Sequence, residues 1–201
     1  YAELVAYQAR QQEAPLRTFF IGGGGYTFPR YMEALYPDAD IHVAEIDPGV
    51  TEVAYDYLGL ALDSQIITYN EDARLFLQRP PDEPYDIIFG DAFNDFSVPY
   101  HLTTKEFNER VSAWLDDDGL YVVNIIDGGY GRFIRAYTLT LRQTFDHVYV
   151  VPRLEAWREV SRDTFVVVAS KQPIDVDAFE PDSRFRSMVL REGEVQDLLA
   201  E

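Results

Sequence analysis

Four short segments of the chain carry residues that could do chemistry, and each follows an apolar run of strand character. Gly22, Gly23, Gly24 and Gly25 follow the run 18–21, Glu45 follows 41–44, Asp72 lies shortly after 66–69, and Asp91 follows 86–89. In an open parallel sheet, ligands bind outside the carboxyl ends of the strands. A glycine run at such an end lets the backbone approach a ligand where any Cβ would interfere. Glu45 lies about twenty residues beyond the glycines, the spacing at which a strand-end carboxylate can accept the hydroxyl hydrogens of a ribose. Asp72 would then face the adenine amino group, with Ala73 beside the ring, although Asp72 also has the chemistry of a helix N-cap. Asp91 is the expected catalytic residue, because it ends an apolar strand and opens a polar and aromatic loop that includes Phe93, Asn94, Asp95 and Phe96. The glycines match neither the dinucleotide fingerprint nor a P-loop, since Gly22-x-Gly24-x-x-Thr27 lacks the third glycine and no Gly-Lys-Ser/Thr follows.

Positioning these residues requires strands alternating with helices. The glycines are followed by helical spacing over 28–35 with Pro29 in its first turn. Asp47-Pro48 starts a second helix, which carries Val50, Val53, Ala54 and Tyr57 on one side. A third helix, capped by Asn70 or Asp72, should run through Leu75 and Leu77 and stop before Pro80-Pro81. Residues 103–106, Thr-Thr-Lys-Glu, have the form of a capping box. The helix they begin should reach Leu115, and 116–119, Asp-Asp-Asp-Gly, should turn the chain into a fifth strand over 120–125. After a loop at 127–129, helical spacing returns over 130–144, and two β-rich stretches, 148–151 and 164–169, should form an antiparallel hairpin. The tail beyond Lys171 is acidic and less patterned. This is an α/β fold of the class I S-adenosylmethionine-dependent methyltransferase type, Rossmann-like and mostly parallel, with a C-terminal antiparallel hairpin.

Composition narrows the function. The 201 residues suit one domain. A net charge of −18 argues against nucleic acid as a partner and suits a cationic ligand. With no cysteine, thiolate chemistry and disulfides are excluded. No run approaches a membrane span, so no membrane contact is expected of this chain and its expected location is cytoplasmic. His42, His101 and His147 show no metal-ligand spacing and are read as structural or surface residues. Ser97 lies in no nucleophile-elbow pattern.

Taken together, Tyr1-Ala-Glu-Leu, Ile21-Gly-Gly-Gly-Gly, Glu45-Ile-Asp-Pro-Gly-Val, Asp72-Ala-Arg and Tyr85-Asp-Ile-Ile-Phe-Gly-Asp91 resemble, in order and spacing, the catalytic domain of spermidine synthases. The resemblance runs from Tyr1 to about Lys171. It implies transfer of an aminopropyl group from decarboxylated S-adenosylmethionine, a co-substrate rather than a resident cofactor, to a small-molecule amine such as putrescine. No metal is implied. Glu45 would hold the ribose, Asp72 the adenine, and Asp91 would take a proton from the attacking ammonium. Tyr1 would line the amine channel, with Asn94 and Asp95 beside it. Gly25 stands where the family carries a donor-gripping Asp, Asn94 where it carries a second acid, and Ala2 where it carries Gln. The family's small N-terminal β-domain has no counterpart in the chain, which opens without Met, so 1–201 is expected to be a single catalytic domain, a piece of a longer protein or a divergent member. The resemblance also suggests a homodimer. A methyltransferase using intact S-adenosylmethionine, or a non-catalytic nucleoside- or polyamine-binding module, stays open beside this expectation.

Overall fold

The computed structural model describes residues 1–92, 99–128 and 131–200. Seven strands form one sheet: β1 (Arg17–Ile21), β2 (Asp40–Ala44), β3 (Ile67–Tyr69), β4 (Tyr85–Gly90), β5 (Leu115–Gly128), β6 (His147–Pro152) and β7 (Arg162–Ser170). Their order is β3-β2-β1-β4-β5-β7-β6. The first five are parallel, and β7 runs antiparallel to both β5 and β6. The expected fold class is therefore the observed one, terminal antiparallel pair included. The eight helices among the described residues are α1 (Ala2–Gln11), α2 (Thr27–Leu35), α3 (Pro48–Tyr57), α4 (Ala73–Phe76), α5 (Lys105–Trp114), α6 (Arg132–Leu141), α7 (Arg184–Met188) and α8 (Glu192–Ala200).

The central strands read as unbroken apolar runs because both faces of the sheet are covered. Successive residues serve opposite layers. Phe19 and Ile21 join Ile88, Phe107, Val123 and Ile134 on one side, while Phe20 joins Val5, Met32, Val43, Ala54, Ile87 and Phe89 on the other. Helices α5, α6 and α8 close the first layer, and α1, α2 and α3 the second. No helix among the described residues is long and apolar enough to cross a membrane.

Several local expectations need correction. Residues 116–119 do not separate a helix from a new strand: Tyr85 pairs with Leu115 and Ile87 with Leu120, so the acidic residues bulge out of one continuous β5. Asp127 and Gly128, expected in a loop, are ladder residues opposite Asp163 and Arg162. On α3, Val53 and Tyr57 face solvent and Thr51 faces inward with Ala54, because the Thr51 hydroxyl meets the Tyr26 hydroxyl (3.2 Å) and the Asn70 amide (2.8 Å). Leu75 is likewise exposed, whereas Phe76 and Leu77 are buried. The cap of α5 is Thr104, whose hydroxyl accepts from the Phe107 N–H, rather than Thr103.

The segment before β1 and the acidic tail, assigned no element from sequence, pack on each other. Tyr7 stacks on Phe179 at 4.9 Å, and Phe179 packs on Phe185 at 4.6 Å. Glu3 on α1 accepts from the N–H groups of Arg184 and Phe185 and from the Ser183 hydroxyl, all within 3.0 Å, so a carboxylate from one end of the chain caps a helix at the other. Burial opposes its charge, but these three donors outweigh burial and hold the carboxyl below its usual range. A depressed acid contributes stability that is full above the unfolded pKa, about 4.3 for Glu, and is lost as pH falls through the folded value. Glu3→Gln should cost about 1–2 kcal/mol near neutrality, solvent screening included, and much less at pH 3. Thermal unfolding across that pH range checks it, and an equal cost at both ends would refute the cap.

Candidate functional site

The turns after four adjacent parallel strands lie side by side at one edge of the sheet, and backbone hydrogen bonds carry the ladder one residue past each strand end. Gly22 N–H donates to the Ala44 carbonyl (2.9 Å), Glu45 N–H to Tyr69 (3.0 Å) and Asp91 N–H to Ile21 (3.0 Å). The glycine turn, Glu45, the start of α4 and Asp91 are thereby brought to a common rim in the order β3-β2-β1-β4.

At Gly22 the backbone is left-handed (φ +99°), and a Cβ there would sit 2.8 Å from the Asp91 carbonyl oxygen; only glycine lets the β1 turn pass the end of β4. A Cβ on Gly23 would enter the ring of Tyr26 at 2.7 Å, whereas at Gly24 it would meet nothing within 4 Å, so Gly24 marks the open side of the turn. Tyr26 is itself left-handed at φ +53° and wholly buried, an uncommon combination for a bulky residue. Its hydroxyl, shared with Thr51 and Thr68 at 3.2 Å each, holds the turn against α3 and β3.

Glu45 is only 8% exposed. Its Oε2 accepts from the N–H groups of Gly23 (2.9 Å) and Gly24 (3.2 Å), and its Oε1 from Asp47 (3.0 Å). A carboxylate has about four acceptor positions, and three are in use, so Glu45 shapes the glycine turn as well as facing its mouth. At the next strand end, Asp72 caps α4 through Oδ1 on the Arg74 N–H (2.8 Å), and Ala73 is buried beside it. The ligand-facing and capping expectations for Asp72 are thus compatible, since capping occupies one oxygen.

Asp91 Oδ1 accepts from the Asn124 side-chain amide at 2.9 Å. Tyr1, whose ring packs on Phe28 and Phe89 at 5.2 and 5.1 Å, brings its buried hydroxyl within electrostatic reach of Asp91 but short of a well-formed hydrogen bond. Burial, and then the Asp91 charge, push the Tyr1 phenol well above its ordinary value, so it stays protonated. Tyr121, whose hydroxyl would lie 3.1 Å from a Cβ placed on Gly90, is pushed up to about 12 by burial. Asn94 and Asp95 lie outside the described residues.

Two neighbours of the expected residues were not anticipated. Asn124 sits in the apolar run Val122-Val123-Asn124-Ile125-Ile126, where a single polar interruption on a central strand was the available signal. His101, read as structural or surface, comes within 4.0 Å of Asp72. The other two histidines serve the scaffold or surface: His42, within β2, bonds the Tyr85 hydroxyl (2.6 Å) and Asp40 (3.0 Å), and His147 pairs with Ser170 on the sheet's edge. A cavity of about 1550 Å³ lies elsewhere, between β6, α7 and α8, and is lined by none of the expected site residues.

No protein-family model matches the chain. Among curated proteins, it is 34% identical over 112 residues to the polyamine aminopropyltransferase of Vibrio vulnificus, covering 55% of this chain and 38% of that one. It is 32% identical over 127 residues to a probable polyamine aminopropyl transferase of Bifidobacterium longum, covering 62% and 28%. The matches thus span well under half the length of these relatives. Among solved structures, a probable spermidine synthase of Corynebacterium glutamicum superposes with a TM-score of 0.83 at 21% identity, over 99% of this chain and 75% of that one. Human methyltransferase-like protein 13, solved with SAH, gives 0.69 at 19% identity over 100% and 89%. A spermidine synthase solved with the transition-state analogue AdoDATO gives 0.72 at 19% over 96% and 72%. At such identities the structural likeness is one of fold, and the sequence likeness to polyamine aminopropyltransferases extends over 55–62% of this chain.

Proposed function

We propose that the chain is the catalytic domain of an aminopropyltransferase that moves the aminopropyl group of decarboxylated S-adenosylmethionine to an amine such as putrescine. The observation that carries this reading is Asp91, fixed by Asn124 through one oxygen at the end of β4, beside the buried Tyr1 phenol and on the same rim as Glu45 and Asp72. Glu45 and the turn at Gly22, Gly23 and Gly24 hold the ribose, Asp72 and Ala73 the adenine, and Tyr1, Asn94 and Asp95 line the amine side. Asp91 takes a proton from the acceptor ammonium. The freed nitrogen lone pair attacks the methylene carbon bonded to the sulfonium, the C–S bond breaks, and its electron pair neutralises the sulfur, leaving methylthioadenosine. A sulfonium leaves without acid assistance, so one base and alignment suffice. Both co-substrates are cationic, which suits a chain of net charge −18.

Incubating the protein with the decarboxylated donor and a panel of di- and polyamines should release methylthioadenosine in many equivalents per chain. Binding without turnover would instead mark a nucleoside- or polyamine-binding module. One feature favours a second reading, methyl transfer from intact S-adenosylmethionine. Gly25 leaves open the place of the family's donor-gripping Asp, and a Cβ there would meet only Thr27 and Leu58 at 3.5 and 3.6 Å. Calorimetry with both donors decides: tighter binding of the decarboxylated form supports aminopropyl transfer, tighter binding of the intact form methyl transfer.

A further inference from the structure

Asp72 and His101 come from segments separated by β4 and face each other across a gap. Asp72 Oδ1 is committed to capping α4, which fixes the carboxylate and turns Oδ2 toward His101 Nε2, 4.0 Å away. That distance is too long for a hydrogen bond. Neither atom has a hydrogen-bond partner among the described residues, and both side chains are about a third exposed (28% and 37%). The gap is built rather than incidental. The Arg74 guanidinium, one residue into α4, donates to the His101 main-chain carbonyl (2.5 Å) and reaches the Thr104 hydroxyl (3.4 Å). This ties the short helical turn Tyr100–Leu102 to the start of α4, and Leu102 anchors that turn in the core.

An acceptor and a donor held side by side match an amino group next to a ring nitrogen, the pattern that adenine presents and that asparagine or glutamine reads with its paired oxygen and nitrogen. The geometry points to His101 as a specificity-determining residue that, as its Nε2–H tautomer, donates to a ring nitrogen of the nucleoside base while Asp72 Oδ2 accepts from the adjacent amino group. This deepens the proposed function and rests on it. Hypoxanthine, with an oxygen in place of the amino group, would set that oxygen against the Asp72 carboxylate. The pair therefore selects adenine over its deaminated form and not merely purines over pyrimidines.

The test is calorimetric titration of wild-type protein and His101→Phe with methylthioadenosine, its 1-deaza and 7-deaza analogues, and methylthioinosine, with thermal melts to check that the variant is folded. Wild type should lose about tenfold in affinity with one of the two deaza analogues, the worth of one hydrogen bond to a base edge. His101→Phe should bind methylthioadenosine about tenfold more weakly and show no further loss with that same analogue, while still discriminating against methylthioinosine through Asp72. Additive losses, or an unchanged ranking of the four nucleosides in the variant, would overturn the role of His101 and leave the aminopropyltransferase reading intact. Failure of wild-type protein to bind any of the four would overturn both.

Discussion

Asp91→Asn is expected to lower turnover by about 10²–10⁴-fold, the usual worth of a positioned general base, while changing affinity for methylthioadenosine by no more than a few-fold. The substitution is nearly isosteric. An amide oxygen at the Oδ1 position can still accept from Asn124 at 2.9 Å, so the side chain keeps its place at the end of β4. What it loses is the basic oxygen that would receive the proton of the acceptor ammonium, and the negative charge that holds that cation. The loss should appear in kcat at saturating donor, with the KM for the amine also rising. The measurement is methylthioadenosine release by wild type and variant, beside calorimetry of the nucleoside alone. Equal turnover by the two proteins would remove Asp91 from the mechanism, and collapse of nucleoside binding would show that Asp91 organises the donor site instead.

Glu45→Ala should have the second largest effect, on stability and binding together. The substitution strips the acceptor from three N–H groups at once, those of Gly23, Gly24 and Asp47, beside a carboxylate that is itself almost buried. Leaving such donors unpaired costs about 2–4 kcal/mol after partial rescue by water, and the loosened turn should weaken methylthioadenosine binding by about 100-fold or more. Glu45→Gln is not a mild control. Its amide can offer an oxygen to the two glycines only by turning its NH₂ toward the Asp47 N–H, a donor against a donor. Both variants should therefore melt at lower temperature than wild type, with Gln between Ala and Glu. If either binds nucleoside like wild type after losing stability, Glu45 is a scaffold residue and the ribose is held elsewhere.

The strands that end at the candidate site were legible because burial on both faces makes them continuous apolar runs with abrupt polar ends; 18–21, 41–44 and 86–89 each fall within the strand observed. Chemistry placed immediately after such an end can be located from sequence, and Glu45, Asp72 and Asp91 all reach the rim for that reason. Contacts that depend on pairing between distant segments were not legible. Asn124 looks like a flaw in a core strand until β5 is laid beside β4, and His101 reaches Asp72 only through the grip of Arg74 on a turn 27 residues away. The bulge at 116–119 has the composition of an ordinary turn, and its continuity with β5 is decided by ladder pairing with β4. In the tail, hydrophobic residues are too sparse to show a period, yet Phe179 and Phe185 are buried because Tyr7, more than 170 residues earlier, supplies the surface they cover.

The strand order β5-β7-β6 sets a schedule for the growing chain. As the polypeptide leaves the ribosome, β5 can zip onto β4 at once, but its other side must wait, because β6 emerges next and belongs one place further out. Until residues 162–170 arrive to fill the gap with nine paired positions, the long flank of β5 offers its free amides and carbonyls to any strand in reach. At ordinary translation rates that vigil lasts roughly a few seconds. Nascent chains stalled between β6 and β7 should consequently be the ones that bind holdase chaperones and form aggregates, whereas chains released just past Ser170 escape both.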